Sequence, residues 1–363
     1  MYSLSYQQGV VLDIIEELKT ITFCWVKIPG KDRCKAVNYN RIAGKISIGD
    51  RVIVNTTAVE LGLGTGGYHF VILNLCYLNE KLDEPENCID YQEFAGHIMK
   101  LRYTPMQFRT LAVEEQLSEY HQEIKNFESL NGKPVIIIPL HSMLAPLVIS
   151  YKKKYPDRKV CYIMSEGGCL AIEFSNSVRQ LSDQGFLDKT ITYGNSFGGD
   201  YESVNVFTAL IAASEIVGAD LIIIGMGPGI VGTSTKYGYS GVENAFIEKA
   251  VRVLKGRPII VPRISFADKR KRHNGISHHS ITLLSELITD PVELAFPENE
   301  YLRKQIKRYE ELSRHKIIFY SEEKISEIDS ILNESEYVFK SMGRIYQDDP
   351  LFFITPALSV YLI

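Results

Sequence analysis

The sequence predicts an α/β protein in which a small β-barrel-like domain precedes a doubly wound, mainly parallel, Rossmann-like sheet. Three observations carry this expectation. Residues 1–78 hold short, partly alternating β-branched runs and little helix. From Pro134 onward, near-continuous apolar runs of strand length alternate with longer helical patterns, the signature of strands buried on both faces. The chain has 363 residues, enough for two hydrophobic cores rather than one.

The elements follow in order. Strands are predicted at Gly9–Ile15, Ile21–Ile28, Cys34–Asn38, Arg51–Thr56 and His69–Leu75. They are broken by Pro29-Gly30, Gly49-Asp50 and the glycine-rich Gly62–Gly67. Residues 79–132 read as an acidic linker followed by a helix from Met106 to Phe127, with Pro105 at its start. Residues 133–363 form the second domain. Its predicted strands are Val135–Ile138, Val160–Met164, Thr190–Tyr193, Leu221–Ile224, Ile259–Val261, Val292–Phe296 and Lys316–Tyr320. Helical patterns lie between and after them: Met143–Lys154, Val178–Gln184, Val204–Val217, Val242–Leu254, His279–Ile288, Glu300–Ser313 and Glu323–Leu332.

Composition narrows the function classes. A formal net charge of -4 supplies no global field toward nucleic acid or membrane. No apolar run approaches the ~20 residues of a membrane span, and "MYSLSYQQGVVLD" lacks the parts of a signal peptide. A soluble, cytoplasmic protein is expected. The six cysteines form no C-x-x-C pair and read as reduced, mostly buried thiols. The barrel region lacks the interleaving of basic and aromatic residues that marks oligonucleotide-binding barrels, which speaks against such binding there.

In open α/β sheets, ligands bind in the loops after the strands. Four such loops are rich in glycine, hydroxyls or charge: "SEGGCL", "GNSFGGD", "GMGPGIVGTSTKYGYSG" and "PRISFADKRKRHNGISHHS". Their agreement predicts a shared ligand site. Gly227-x-Gly229-x-x-Gly232 fits a dinucleotide fingerprint, but Ser240-x-x-Glu243 resembles a capping box and places the helix start too late. The strand Ile259–Val261 also ends in Pro262-Arg263 rather than in a ribose-binding acid. A P-loop fails because Thr233-Ser234-Thr235 delays Lys236. What remains is an amide-rich loop suited to an anion.

Lys236 and Arg263 are the expected anion holders. Glu166, Asp200 and His278 are the expected proton or hydroxyl handlers. Gly167, Gly168, Gly199, Gly227, Gly229, Gly232, Thr233, Ser234 and His279 complete the expected ligand contacts. No metal site is expected, because no ligand spacing is recognisable and neighbouring helical histidines point about 100° apart. No cofactor is named. Enzymatic action on a small anionic, phosphorylated or nucleotide-like substrate is the leading reading. The alternatives are a non-catalytic sensor with the same pocket and a nucleic-acid-associated module using the barrel and the basic loop 269–273. The apolar tail "LFFITPALSVYLI" reads as core or as a homodimer interface.

The segments "GDRVIVNTTAVELGLGTGGYHFV", "GHIMKLRYTPMQ", "YIMSEGGCLAIEFS", "FGGDYESVNV", "SMGRIYQDDPLFF" and the last two loops above resemble a bacterial family known only as domain of unknown function 3866. The resemblance spans nearly the whole chain. It implies a cytoplasmic bacterial protein, transfers no catalytic role, and suggests that "GLGTGG" lies near the same site, although a hairpin turn is the simpler reading.

Overall fold

The computed structural model describes residues 4–78, 96–168 and 171–363. The expected acidic linker at 79–91 lies outside them. The chain forms two units, Met1–Thr110 and Leu111–Ile363.

In the first unit β1 (Tyr6–Glu17), β2 (Ile21–Ile28), β3 (Lys31–Tyr39), β4 (Arg51–Asn55) and β5 (His69–Asn74) close into a barrel in the order β1-β2-β3-β5-β4. Only β3 and β5 pair parallel. Val11, Cys24, Val26, Ala36, Val52, Val54 and Val71 fill its interior. Period-2 alternation of these residues is what made the strands legible. Gly49 turns the chain at φ +94°, and buried Val52 follows in β4, as Gly-Asp-Arg-Val implied.

The expected helix Met106–Phe127 does not form. The segment runs through β7 (Phe108–Thr110), which pairs antiparallel with β6 (Ile98–Lys100), then turns, then a helix of five residues, His121–Lys125. Side chains here bond the local backbone instead. The Glu115 carboxylate accepts from Ala112 N at 2.7 Å, and Ser118 Oγ accepts from Tyr120 N at 3.2 Å. Such bonds compete with helical ones.

The second unit is an eight-stranded, all-parallel sheet. Its strands are β8 (Pro134–Ile138), β9 (Val160–Ser165), β10 (Lys189–Tyr193), β11 (Tyr201–Ser203), β12 (Leu221–Met226), β13 (Arg257–Ile260), β16 (Glu293–Pro297) and β17 (Lys316–Tyr320), while β14 (Ile264–Ser265) and β15 (Gly275–Ile276) pair antiparallel apart from it. Their order is β11-β10-β9-β12-β8-β13-β16-β17. Successive residues of one strand feed opposite cores. Ile136 and Ile138 pack with the helices Leu144–Lys154, Asn176–Asp183 and Glu322–Asn333. Val135 and Ile137 pack with Val206–Glu215 and Glu243–Val253. Strand β11 was not anticipated, and neither was the helix Pro350–Leu358. That helix is buried from Phe352 to Leu358 against the first of these faces. The apolar tail is therefore core of its own chain, the first of the two readings its sequence allowed.

The topology positions a crevice. The helix after β8 lies on one face of the sheet, while those after β12 and β13 lie on the other. Strand β8 sits between β12 and β13, so their carboxyl ends open away from each other there.

Candidate functional site

A cavity of about 220 Å³ occupies that crevice. Pro139 and Leu140 line it after β8; Ile230, Val231, Gly232 and Ser234 after β12; and Arg263, Arg270, Arg272, His273 and His279 after β13. Met342 reaches it from the C-terminal segment.

The loop after β12 is closed on itself. Gly232 and Tyr239 bridge antiparallel, Thr233 N donates to Gly238 O at 2.8 Å, and the Thr233 hydroxyl bonds Gly238 O and Thr235 Oγ1. Ser234 takes a φ of +65° and Gly229 one of +112°. A side chain at Gly232 would meet His279 Cε1 at 3.2 Å, so this glycine lets the loop lie against the imidazole. The chain enters its helix at Ser240 as expected, but the capping box does not form. Ser240 Oγ instead accepts from Val231 N, and Glu243 receives Ser165 Oγ at 2.6 Å.

Arg263 is the centre of the site. It is 6% exposed, and burial lowers its pKa to about 10 despite the partner carboxylate of Asp268 at 2.8 Å. Asp268 also accepts from Arg270 N, Nε and Nη2 at 3.0, 3.0 and 2.8 Å. Those side-chain bonds from Arg270 hold the carboxyl well below its usual range. Arg263 Nη1 lies 3.0 Å from His273 Nδ1, and Ser277 Oγ lies 2.7 Å from the same nitrogen. The C-terminal segment closes over this group. Arg263 Nη2 contacts Met342 Sδ, Arg344 pairs with Asp349, and Asp349 accepts from Ser265 Oγ at 2.5 Å.

His273 sits at the end of the 3₁₀ turn Lys271–His273, and His278 and His279 open the helix capped by Ser277. One ring nitrogen from each lies within 4.8 Å of the others. The centroids of His278 and His279 are 4.1 Å apart. Ring position depends on side-chain torsion as well as backbone direction, so the 100° offset did not separate them. His279 stacks on Tyr239 at 4.0 Å and 5°. Burial, reinforced by charged or imidazole neighbours, lowers all three pKa values, His273 to about 3 and His279 to about 4. At neutral pH the rings are uncharged bases. The helix they open continues as a π-helix over Leu283–Leu287, a distortion common at functional sites.

Other expected site residues go elsewhere. Lys236 is half-exposed and paired with Glu286 at 2.6 Å. Asp200 lies level with the start of β10, at the opposite edge, where it accepts from Thr190 N and Oγ1. Gly199 packs where a Cβ would strike Thr192 N and Tyr201 O at 2.9 Å. Glu166, Gly167 and Gly168 form a 3₁₀ turn after β9. Gly167 there faces Met226 and Glu243 rather than the cavity lining. Gly227 precedes the closed part of the loop. Sequence reasoning gave no role to Asn244, Tyr239 or Met342, and gave His273 one only as part of the basic loop 269–273. The only signal for Met342 was the "SMGRIYQDDPLFF" motif.

Comparison with known proteins adds one finding. A family of proteins of unknown function, DUF3866, matches residues 35–360. The chain belongs to that family. No curated protein and no solved structure matches this DUF3866 chain. The matched span includes every residue of the cavity. Among its described residues, no helix is long and apolar enough to cross a membrane.

Proposed function

We propose that the second unit is an enzyme acting on a small anionic, phosphorylated or nucleotide-like molecule bound in the β12-β8-β13 crevice. One observation carries this reading. Arg263 Nε and Asn244 Nδ2 are buried donors of cavity-lining residues, and neither has a hydrogen-bond partner. Buried donors are normally satisfied, and leaving one bare costs about 1–3 kcal/mol. A ligand that accepts from both removes that cost. Arg270 and Arg272 add positive charge at the rim. His273 and His279, uncharged and facing the same space, supply lone pairs for chemistry. The test is calorimetry of the full chain with inorganic phosphate and simple phosphomonoesters. Binding that is lost in Arg263→Ala and kept in Lys236→Ala supports the reading. Binding indifferent to Arg263 refutes it.

A second reading places single-stranded nucleic acid on the barrel. Trp25 on β2 lies under Arg33 of β3 at 4.5 Å, and Lys35 stands 6.0 Å from Trp25 and 5.5 Å from Tyr68. Basic and aromatic groups thus interleave across neighbouring strands, contrary to the expectation from the sequence. In five-stranded OB barrels the strand 2–3 face binds oligonucleotides. Trp25 is the sole tryptophan, so quenching of its fluorescence by an oligonucleotide, weakening steeply with salt, tests this directly. An unchanged signal at low salt excludes it.

A further inference from the structure

We propose that His273, His278 and His279 hold one divalent transition-metal ion of the zinc class at the wall of the cavity. This rests on the preceding reading of the cavity as the substrate site and names what the three imidazoles do there.

The geometry comes first. A tetrahedral ion with metal–nitrogen bonds of about 2.1 Å needs its nitrogens about 3.4 Å apart. The three rings offer nitrogens within 4.8 Å of one another, so small side-chain rotations close the set. His278 Nε2 is buried and has no hydrogen-bond partner, a lone pair or N–H with nothing to meet. The donor set is all nitrogen. Imidazoles suit zinc, cobalt, nickel, copper or iron, whereas magnesium and calcium take oxygen. Three protein ligands leave a coordination position open, as catalytic sites do and structural sites do not. His273 and His279 both line the cavity, which puts that position toward a bound ligand.

Neighbouring groups orient the rings. His273 Nδ1 accepts from Arg263 Nη1 at 3.0 Å and lies 2.7 Å from Ser277 Oγ. For Nε2 to hold the ion, Nδ1 carries the ring proton, donates it in a hydrogen bond to Ser277 Oγ, and gives up the Arg263 bond. The Tyr239 ring fixes the plane of His279. Arg263 Nη1 also touches His273 Nδ1, and its charge opposes a cation. That charge is offset by Asp268 at 2.8 Å, and the guanidinium keeps this partner when His273 Nδ1–H donates to Ser277 Oγ instead. Arg263 then stands beside the ion, able to hold an anionic group whose oxygen fills the open position.

The experiment uses the full chain stripped with a chelator and titrated with Co²⁺, read by visible absorption and by calorimetry. One ion per chain is expected, with the spectrum of a nitrogen-rich, low-coordinate site. His278→Ala and His279→Ala are each expected to weaken Co²⁺ binding about 100-fold or more. His273 is buried, so His273→Gln, checked by circular dichroism, replaces the alanine variant there and is expected to weaken binding likewise. Arg263→Ala keeps Co²⁺ and loses phosphate. Failure of the wild-type chain to bind Co²⁺ at micromolar concentration overturns the metal site. So does equal binding by the folded His278→Ala and His279→Ala variants. Cobalt binding without phosphate binding leaves the metal site standing and sinks the anion reading instead.

Discussion

Arg263→Met separates a binding role from a structural one. The substitution removes the guanidinium while keeping much of the aliphatic volume. Stripping one partner from a buried ion pair costs about 3–5 kcal/mol when the other charge is left alone. Here Asp268 would retain three contacts from Arg270, at 2.8, 3.0 and 3.0 Å. The expected stability loss is therefore smaller, about 1–3 kcal/mol, measured by urea unfolding. Ligand affinity responds differently, because no other buried arginine lines the cavity among the described residues. A hydrogen bond to a charged group contributes about 1.5–3 kcal/mol, so phosphate affinity measured by calorimetry should fall about 10- to 100-fold. Arg263→Lys should recover little of it, since a lysine restores charge but not the planar fork. A folded Arg263→Met protein that binds phosphate within about twofold of wild type would falsify the assignment.

Further outcomes follow from the same geometry. His141 is half-buried between Tyr162 Oη and Ser175 Oγ, and loss of solvation lowers its pKa to about 4 from an ordinary 6.5. The unfolded chain takes up this proton first, so stability is full above pH 6.5 and falls as pH drops toward 4, by roughly 3 kcal/mol in all. His141→Gln should flatten that slope in pH-dependent denaturation; an unchanged slope would assign it to other groups. Asp200→Ala should cost about 1–2 kcal/mol by removing the acceptor for Thr190 N and Oγ1, with phosphate binding intact. Gly225→Ala forces a Cβ to within 2.5 Å of Ile138 Cγ1 and 2.7 Å of Ile138 O. A loss of about 1–3 kcal/mol is expected, and a neutral result would mean that β12 and β8 are less tightly packed than described.

The sheet was legible because its strands are buried on both faces and read as continuous apolar runs, Leu221–Ile224 most clearly. Strand β11 is three residues long, Tyr-Glu-Ser, and too polar to announce itself. The site was legible only as an edge of the sheet. Arg263 was found because it follows its strand immediately. Lys236 was misleading because Glu286, remote in sequence, draws it away from the cavity. Asp200 was misleading because its loop folds back along β10 to the other edge before β11 begins. His273 was hidden inside a basic run, where neighbouring arginines and lysines suggested solvent; the 3₁₀ turn buries it while leaving Lys271 and Arg272 exposed.

The central claim is that a small anion binds against Arg263 in the β12-β8-β13 crevice. Anomalous diffraction from a crystal of the full chain soaked in tungstate tests it most directly. The account predicts a peak within hydrogen-bond distance of the Arg263 guanidinium, beside Asn244 and His279. An empty crevice, with tungstate ordered elsewhere on the molecule, would contradict it.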